Sequence, residues 1–258
     1  KILEAKINMF FQPIADDKDV IKNIADNLKG NYQQLGTLES VNLEKPTGEN
    51  EEMEIIPHDI PRIVGKNANT ELSISLNRAE IHVVFDSEFS VDISKCIEYI
   101  QLKSSELYKA LDRYVSGKYL FSGVTITSIF DDLQEDPIKI ITDKFTNLNS
   151  NKKLYDVSSK FTYISNDSHF VNINISNVRG REEINNGLNN SISKKVNYLS
   201  ITFDINDRYG FNEIDNYQSS YEELKINIDI AENLLQTKIN RLISGEGLDM
   251  EWMVKDYF

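Results

Sequence analysis

Polar and apolar residues alternate from the start of the chain. Leu3, Ala5, Ile7, Met9 and Phe11 fall on one side, and Glu4, Lys6 and Asn8 on the other. That period of two predicts a half-buried strand over Ile2–Phe11. Pro13 ends it, and Asp16 or Asp17 can cap a short helix carrying Val20, Ile21, Ile24 and Leu28, stopped at Gly30. A shorter apolar run follows at Leu38–Leu43.

The same vocabulary then recurs twice. In the first copy, Glu71–Asp86 holds two alternating runs joined at Asn77-Arg78, and Val91–Val115 carries Ile93, Ile97, Ile100, Leu107, Leu111 and Tyr114 at helical spacing. In the second, Lys160–Ile175 turns at Asn166-Asp167 and is followed by Asn197–Ile205. A helix over Ser220–Ile243 then buries Leu224, Ile228, Ala231, Leu235, Ile239 and Leu242, with Ser220 and Glu223 spaced as a capping box and Gly245 as its stop. The pattern predicts an α+β fold of duplicated antiparallel hairpin-plus-long-helix units, with sheet packed against helices.

Between these units the pattern weakens. Glu44–Thr70 holds three of the five prolines and reads as a long acidic connection, with Glu54–Ile56 and Ile60–Val64 as short extended pieces. Tyr119–Phe130 is rich in β-branched and aromatic residues and predicts a strand. Ile138–Ile141 reads as a short strand, and Arg179–Ser193, with two glycines and a run of asparagines, as a loop. The acidic turn Asp131–Asp136 suggests a division into an N-terminal half, residues 1–136, and a C-terminal half, residues 137–258, as two parts or one continuous domain.

Composition narrows the function. The 258 residues carry 41 acidic and 28 basic side chains, a formal charge of −13, and the basic residues cluster only in pairs such as Lys194-Lys195. A field of that sign disfavours nucleic acid and anionic membrane surfaces. No apolar run reaches the ~20 residues of a membrane helix, nothing reads as a signal peptide, and a cytoplasmic location is expected. The single cysteine, Cys96, excludes a disulfide framework within the chain and reads as a partly buried structural thiol.

The three histidines lack partners at metal-ligand spacing: His58 reads as a loop residue, His82 and His169 as solvent-facing or sheet-packing. Phosphate-binding glycine loops and nucleophile elbows are absent. No catalytic residue, metal ligand or cofactor is therefore assigned. The runner-up is a metal-dependent hydrolase or nuclease in which Asp86, Asp204 and Asp207, at strand ends, come together. Aromatic residues offer another use: Phe10, Phe11, Tyr114, Tyr119 and Phe121 could build a sticky surface. The tail Leu248–Phe258 brings Met250, Trp252, Met253, Tyr257 and Phe258 after the last helix stop, and these five are the candidate interface.

The opening strand, the hairpin through Asn77-Arg78-Ala79-Glu80, the strand Val124–Phe130, the stretch Asn197–Ile205, the final helix and Trp252 together resemble the layout of a sporadically distributed bacterial family of unknown function and of about this length. That family's last helix carries a histidine where this chain has Ala231-Glu232-Asn233. The resemblance implies no reaction; its units are similar to the SecB-like chaperone fold by analogy. The expectation is a non-catalytic module that binds a protein partner or copies of itself, in an accessory bacterial system such as phage defence or a toxin–antitoxin–chaperone module.

Overall fold

A computed structural model describes residues 1–38, 43–47, 52–56, 60–146, 153–185 and 191–244. Chain order is β1 (Ile2–Phe11), α1 (Lys18–Leu28), β2 (Gln34–Thr37), β3 (Leu43–Thr47), β4 (Glu52–Ile56), β5 (Ile63–Asn67), β6 (Thr70–Ile74), β7 (Arg78–Val84), α2 (Ile93–Val115) and β8 (Tyr119–Phe130). It continues through α3 (Pro137–Phe145), β9 (Ser158–Ser165), β10 (His169–Asn185), β11 (Ser191–Asn206), α4 (Arg208–Glu213) and α5 (Tyr221–Asn233). A π-helical turn over Leu234–Lys238 joins α5 to α6 (Ile239–Ser244).

Nine strands form one antiparallel sheet in the order β2-β5-β6-β7-β1-β8-β11-β10-β9, while β3 and β4 pair separately. The order contains a repeat. Each copy runs strand, helix, three-stranded meander, helix, and the third meander strand returns beside the first strand: β7 pairs with β1, and β11 with β8. The two first strands then pair with each other at the centre of the sheet, with Ile7 opposite Val124. Local signals repeat too. Asp17 and Asp136 cap α1 and α3, each accepting from backbone amides of the first turn, and Asp92 and Ser220 cap α2 and α5. The expected division at Asp131–Asp136 lies between β8 and α3.

Residues of alternate parity on every central strand meet different surroundings. Ala5, Ile7, Met9, Ile81, Val83, Val124, Ile126, Val171, Ile173, Phe203 and Ile205 are buried beneath the helices. The helices answer with Ile97, Ile100, Leu107 and Leu111 from α2 and Leu224, Ile228, Ala231, Leu235, Ile239 and Leu242 from the last helix, as the 3.6-residue pattern predicts. The opposite parity, including Lys6, Asn8, Glu80, His82, Thr125 and Asp204, stays partly exposed. The α+β expectation holds: a sheet covered by helices on one face and open on the other.

Several local expectations are corrected. Ile138–Ile141 is helical, within α3: Asp136 caps it and Pro137 takes a first-turn position where its missing N–H costs nothing. Of the expected loop Arg179–Ser193, residues 179–185 and 191–193 are strand, because β10 and β11 keep register from Val178↔Tyr198 to Asn185↔Ser191, and residues 186–190 lie outside the described residues. Glu44–Thr70 contains the β5–β6 turn, with Asn67 opposite Thr70. Leu3 leaves the buried stripe because a register shift between Ile2 and Glu4 turns it outward, 41% exposed, while Ile2 is buried. Of the two turns predicted from dipeptides, Asn166-Asp167 forms as expected, both residues taking positive φ, 51° and 52°, as a two-residue hairpin turn requires. The turn expected at Asn77-Arg78 falls one residue earlier, at Leu76-Asn77, closed by the Ser75 amide donating to the Arg78 carbonyl at 2.8 Å, and Arg78 opens β7.

Candidate functional site

Register carries open-face side chains into rows that cross the whole sheet. One row reads Gln34, Lys66, Glu71, His82, Lys6, Thr125, Asp204, Asn172, Thr162. Its members bond across strands. Lys66 Nζ is 2.9 Å from Glu71 Oε1, and that donor holds the Glu71 carboxyl below the ordinary range. His82 Nε2 lies 2.8 Å from Glu4 Oε2, diagonal to it. Asp204 accepts from Asn172 Nδ2 at 3.3 Å and Asn206 Nδ2 at 3.2 Å.

Two rows further along the strands the face changes character. Arg78, Phe10 and Phe121 are cross-strand neighbours. The two rings stack with centroids 4.4 Å apart; the Arg78 guanidinium lies 5.3 Å from the Phe10 ring, and that of Arg208 lies 5.5 Å from the Phe121 ring. Between this ridge and the polar row lies a trough of about 460 Å³. Its floor is the row Asn8, Gly123, Asn206, in which Gly123 has no room for a side chain: a Cβ there would meet the Asn206 Cβ at 2.8 Å. A second groove of about 770 Å³ spans β2, β5, β6 and β7, with Lys66, Glu71, Glu80 and His82 among its lining.

On the helix side, Asp207 is fully buried and accepts from the Ser122 backbone amide and, at 2.8 Å, from Tyr217 Oη. Burial and then the Asp207 carboxylate raise the Tyr217 phenol above its ordinary pKa. Asn227, also fully buried, donates from Nδ2 to the Ser122 carbonyl at 3.3 Å, and its own Oδ1 is without a partner. His169 is buried, not exposed, with Nδ1 2.8 Å from Ser168 Oγ and Nε2 3.1 Å from Glu223 Oε2. The Nε2 contact is close enough for an ion pair but poorly aligned for a hydrogen bond. It also alters the expected capping box. Ser220 Oγ accepts from the Glu223 amide at 3.4 Å, but the Glu223 carboxylate turns to His169 instead of back to the cap.

The sequence candidates scatter. Asp86 accepts from the amides of Glu88 and Phe89 in the loop after β7, Asp204 belongs to the open face, and Asp207 is enclosed on the helix side. Among the described residues, no three His, Cys, Asp or Glu side chains gather as a metal site. The aromatic set divides: Phe10 and Phe11 are neighbours and face opposite ways, and a bulge in β8 opposite Phe10–Phe11 separates Phe121 from Tyr119. Phe10 and Phe121 therefore reach the open face while Phe11 and Tyr119 are buried, 6.2 Å apart edge to face, and Tyr114 packs on the core. Cys96 is buried, and burial followed by the nearby Asp92 pushes its thiol up to about 11. His58, Met250, Trp252, Met253, Tyr257 and Phe258 lie outside the described residues. No helix among the described residues is long and apolar enough to cross a membrane.

Sequence inspection missed Arg78, Arg208 and Gly123 as one site, since they come from three strands or strand ends. The available signal was parity: with Ile7 inward, Phe10 must face outward, and its β8 partner follows once the register is known. Comparison of the chain with protein-family models and with curated protein sequences finds no match.

Proposed function

We propose that the protein is a non-catalytic binding module that associates with a second copy of itself through the β10–β11 ribbon. The observation that carries this reading is the length of that ribbon. Pairing of β9 with β10 ends at Ser158↔Ser176, and pairing of β8 with β11 ends at Phe130↔Leu199, yet β10 and β11 stay paired as far as Asn185↔Ser191. Beyond the root the ribbon has two strands and two edges without a third strand among the described residues. Such a ribbon is marginal alone and gains most from a partner strand.

Its root is held firmly. Asn177 accepts from the Val157 amide at 2.8 Å and donates to Asp156 and Asn197, each at 3.2 Å, and Asn197 donates to the α3 cap Asp136. Arg179 lies 4.0 Å over the Tyr155 ring. A second copy suits the edge because β10 carries Arg179 and Arg181 ahead of Glu182 and Glu183 in the sequence. Antiparallel pairing of two such strands sets the basic stretch of each against the acidic stretch of the other, the self-complementarity of a twofold contact. A cytoplasmic setting and a role in bacterial defence or in a toxin–antitoxin–chaperone system belong to the same proposal.

Sedimentation velocity tests it by charge exchange. The unaltered chain should show a concentration-dependent dimer. Arg181→Glu and, separately, Glu182→Lys with Glu183→Lys should each give monomers with unchanged far-UV circular dichroism, and mixing the two variants should restore the dimer. An unaltered chain that stays monomeric across the concentration series, or variants that dimerise as it does, would remove the reading.

A further inference from the structure

The trough between the Phe10–Phe121 ridge and the polar row of the open face has donors in excess of acceptors. Arg78 donates to Asn8 Oδ1 at 2.9 Å and to Glu80, but its Nε is buried without an acceptor. The Arg208 guanidinium lies against the Phe121 ring and has no side-chain acceptor among the described residues. Asn8, whose oxygen is used by Arg78, has its amide N–H groups unspent among the described residues. The one carboxylate of the trough, Asp204, already accepts from Asn172 and Asn206. The sealed Nε does not itself face the trough; the donors that do are the exposed Arg208 guanidinium and the Asn8 amide, which sit beside apolar rings with no acceptor among the described residues.

Shape adds an independent observation. Gly123 is required by the close approach of Asn206 on the neighbouring strand, and the stacked rings supply an apolar wall beside this floor. The trough is open to solvent, and its volume, about 460 Å³, suits a small organic molecule.

We propose that this trough binds a small organic anion, its carboxylate or phosphate held by Arg208, Arg78 and the Asn8 amide, with its apolar body along the Phe10–Phe121 wall. Guanidinium and amide donors together recognise a planar or tetrahedral oxyanion, and the flanking rings confine the charges to a less hydrated surface, where each donor is worth more. The overall charge of −13 works against bulk attraction of anions, so selectivity resides in this local set and not in the field of the molecule.

Benzoate, phenyl phosphate and inorganic phosphate are suitable probes, followed by calorimetry and by amide and side-chain NMR shifts of the full chain. Benzoate or phenyl phosphate should shift the Gly123 amide and the Asn8 side-chain signals, the better of the two identifying the anionic group. Inorganic phosphate should bind at least tenfold more weakly than phenyl phosphate. Arg208→Gln should weaken binding tenfold or more, Arg208→Lys should retain part of it, and Lys66→Gln, in the other groove, should leave it unchanged. Because Arg208 is exposed, these variants keep the fold. Absence of binding by both aromatic probes, shifts located elsewhere, or indifference to Arg208→Gln would overturn the proposal. Equal affinity for inorganic and phenyl phosphate would overturn the part assigned to the ring wall.

Discussion

Cys96 shows how a single position can be read from both sequence and structure. Its place beside Ile97 on the buried stripe of α2 implies a thiol in apolar surroundings, and the structure closes it off completely, with Sγ 3.4 Å from the Phe89 carbonyl. With the thiol raised to about 11, almost no thiolate exists at pH 8. A thiol reagent such as DTNB should therefore leave the native protein unlabelled at pH 8 and modify one equivalent on unfolding; rapid native labelling would contradict this. The buried polar group around Asp207 was far less legible. In sequence Asp207 is one more acid at a strand end; its burial depends on Ser122 and Tyr217, supplied by β8 and the segment before α5. Gly210 makes room for the Tyr217 ring, because a Cβ there would lie 2.6 Å from it. Tyr217→Phe removes a hydrogen bond to a charged group and should cost about 1.5–3 kcal/mol in urea unfolding. Gly210→Ala should destabilise comparably by displacing the same ring, and the double variant should lose less than the sum.

At the level of elements, legibility followed the strength of local signals. Helices with an unbroken stripe and the Asn166-Asp167 hairpin could be read directly, since burial on one face and positive φ leave marks within a few residues. The ribbon left no such mark. The Arg, Glu, Asn and Ser residues of segments 179–185 and 191–193 show no apolar alternation, so their extended state follows from continuing a ladder whose register is set at Val171↔Ile205 and Ile173↔Phe203. For α3 the short apolar run masked two correct signals, an aspartate cap and a proline at the first helical position. Asp136 has a double duty there: its Oδ1 accepts from the Ile138 amide at 3.0 Å and from Asn197 Nδ2 at 3.2 Å. Asp136→Ala should lower stability by about 1 kcal/mol through the cap. It should also raise hydrogen exchange in the ribbon root near Asn177 and Asn197, which Asp17→Ala, capping α1 with no such link, should leave unchanged.

The whole molecule is organised by the central pairing of β1 with β8, which merges two topologically equivalent copies into one sheet over one hydrophobic core. Ile7 and Ile201 come from different copies, and both are fully buried. Ile7→Ala and Ile201→Ala should each cost about 2–5 kcal/mol. Each should move the same single transition in calorimetry, with near-coincident far-UV and tyrosine signals; separate transitions for the two copies would show that the shared core is not cooperative. The duplication itself was visible in the repeated strand-and-helix pattern. Its symmetry was not, because the linking strands β1 and β8 precede their meanders by unequal insertions: β2, β3 and β4 lie in the first copy, while the long ribbon and α4 belong to the second.

That central seam also sets a timetable for synthesis. β1 is made before β8, and its β8 edge has no partner until the ribosome has added about a hundred further residues, an interval of roughly 5–20 s at ordinary bacterial or eukaryotic elongation rates. During that time the first copy stands as a nascent half-sheet with an apolar strand open on one side, able to recruit the equivalent strand of a neighbouring chain on the same polysome. Translation slowed over the codons for residues 90–118 should raise the insoluble fraction, and supplying residues 119–244 in trans should lower it.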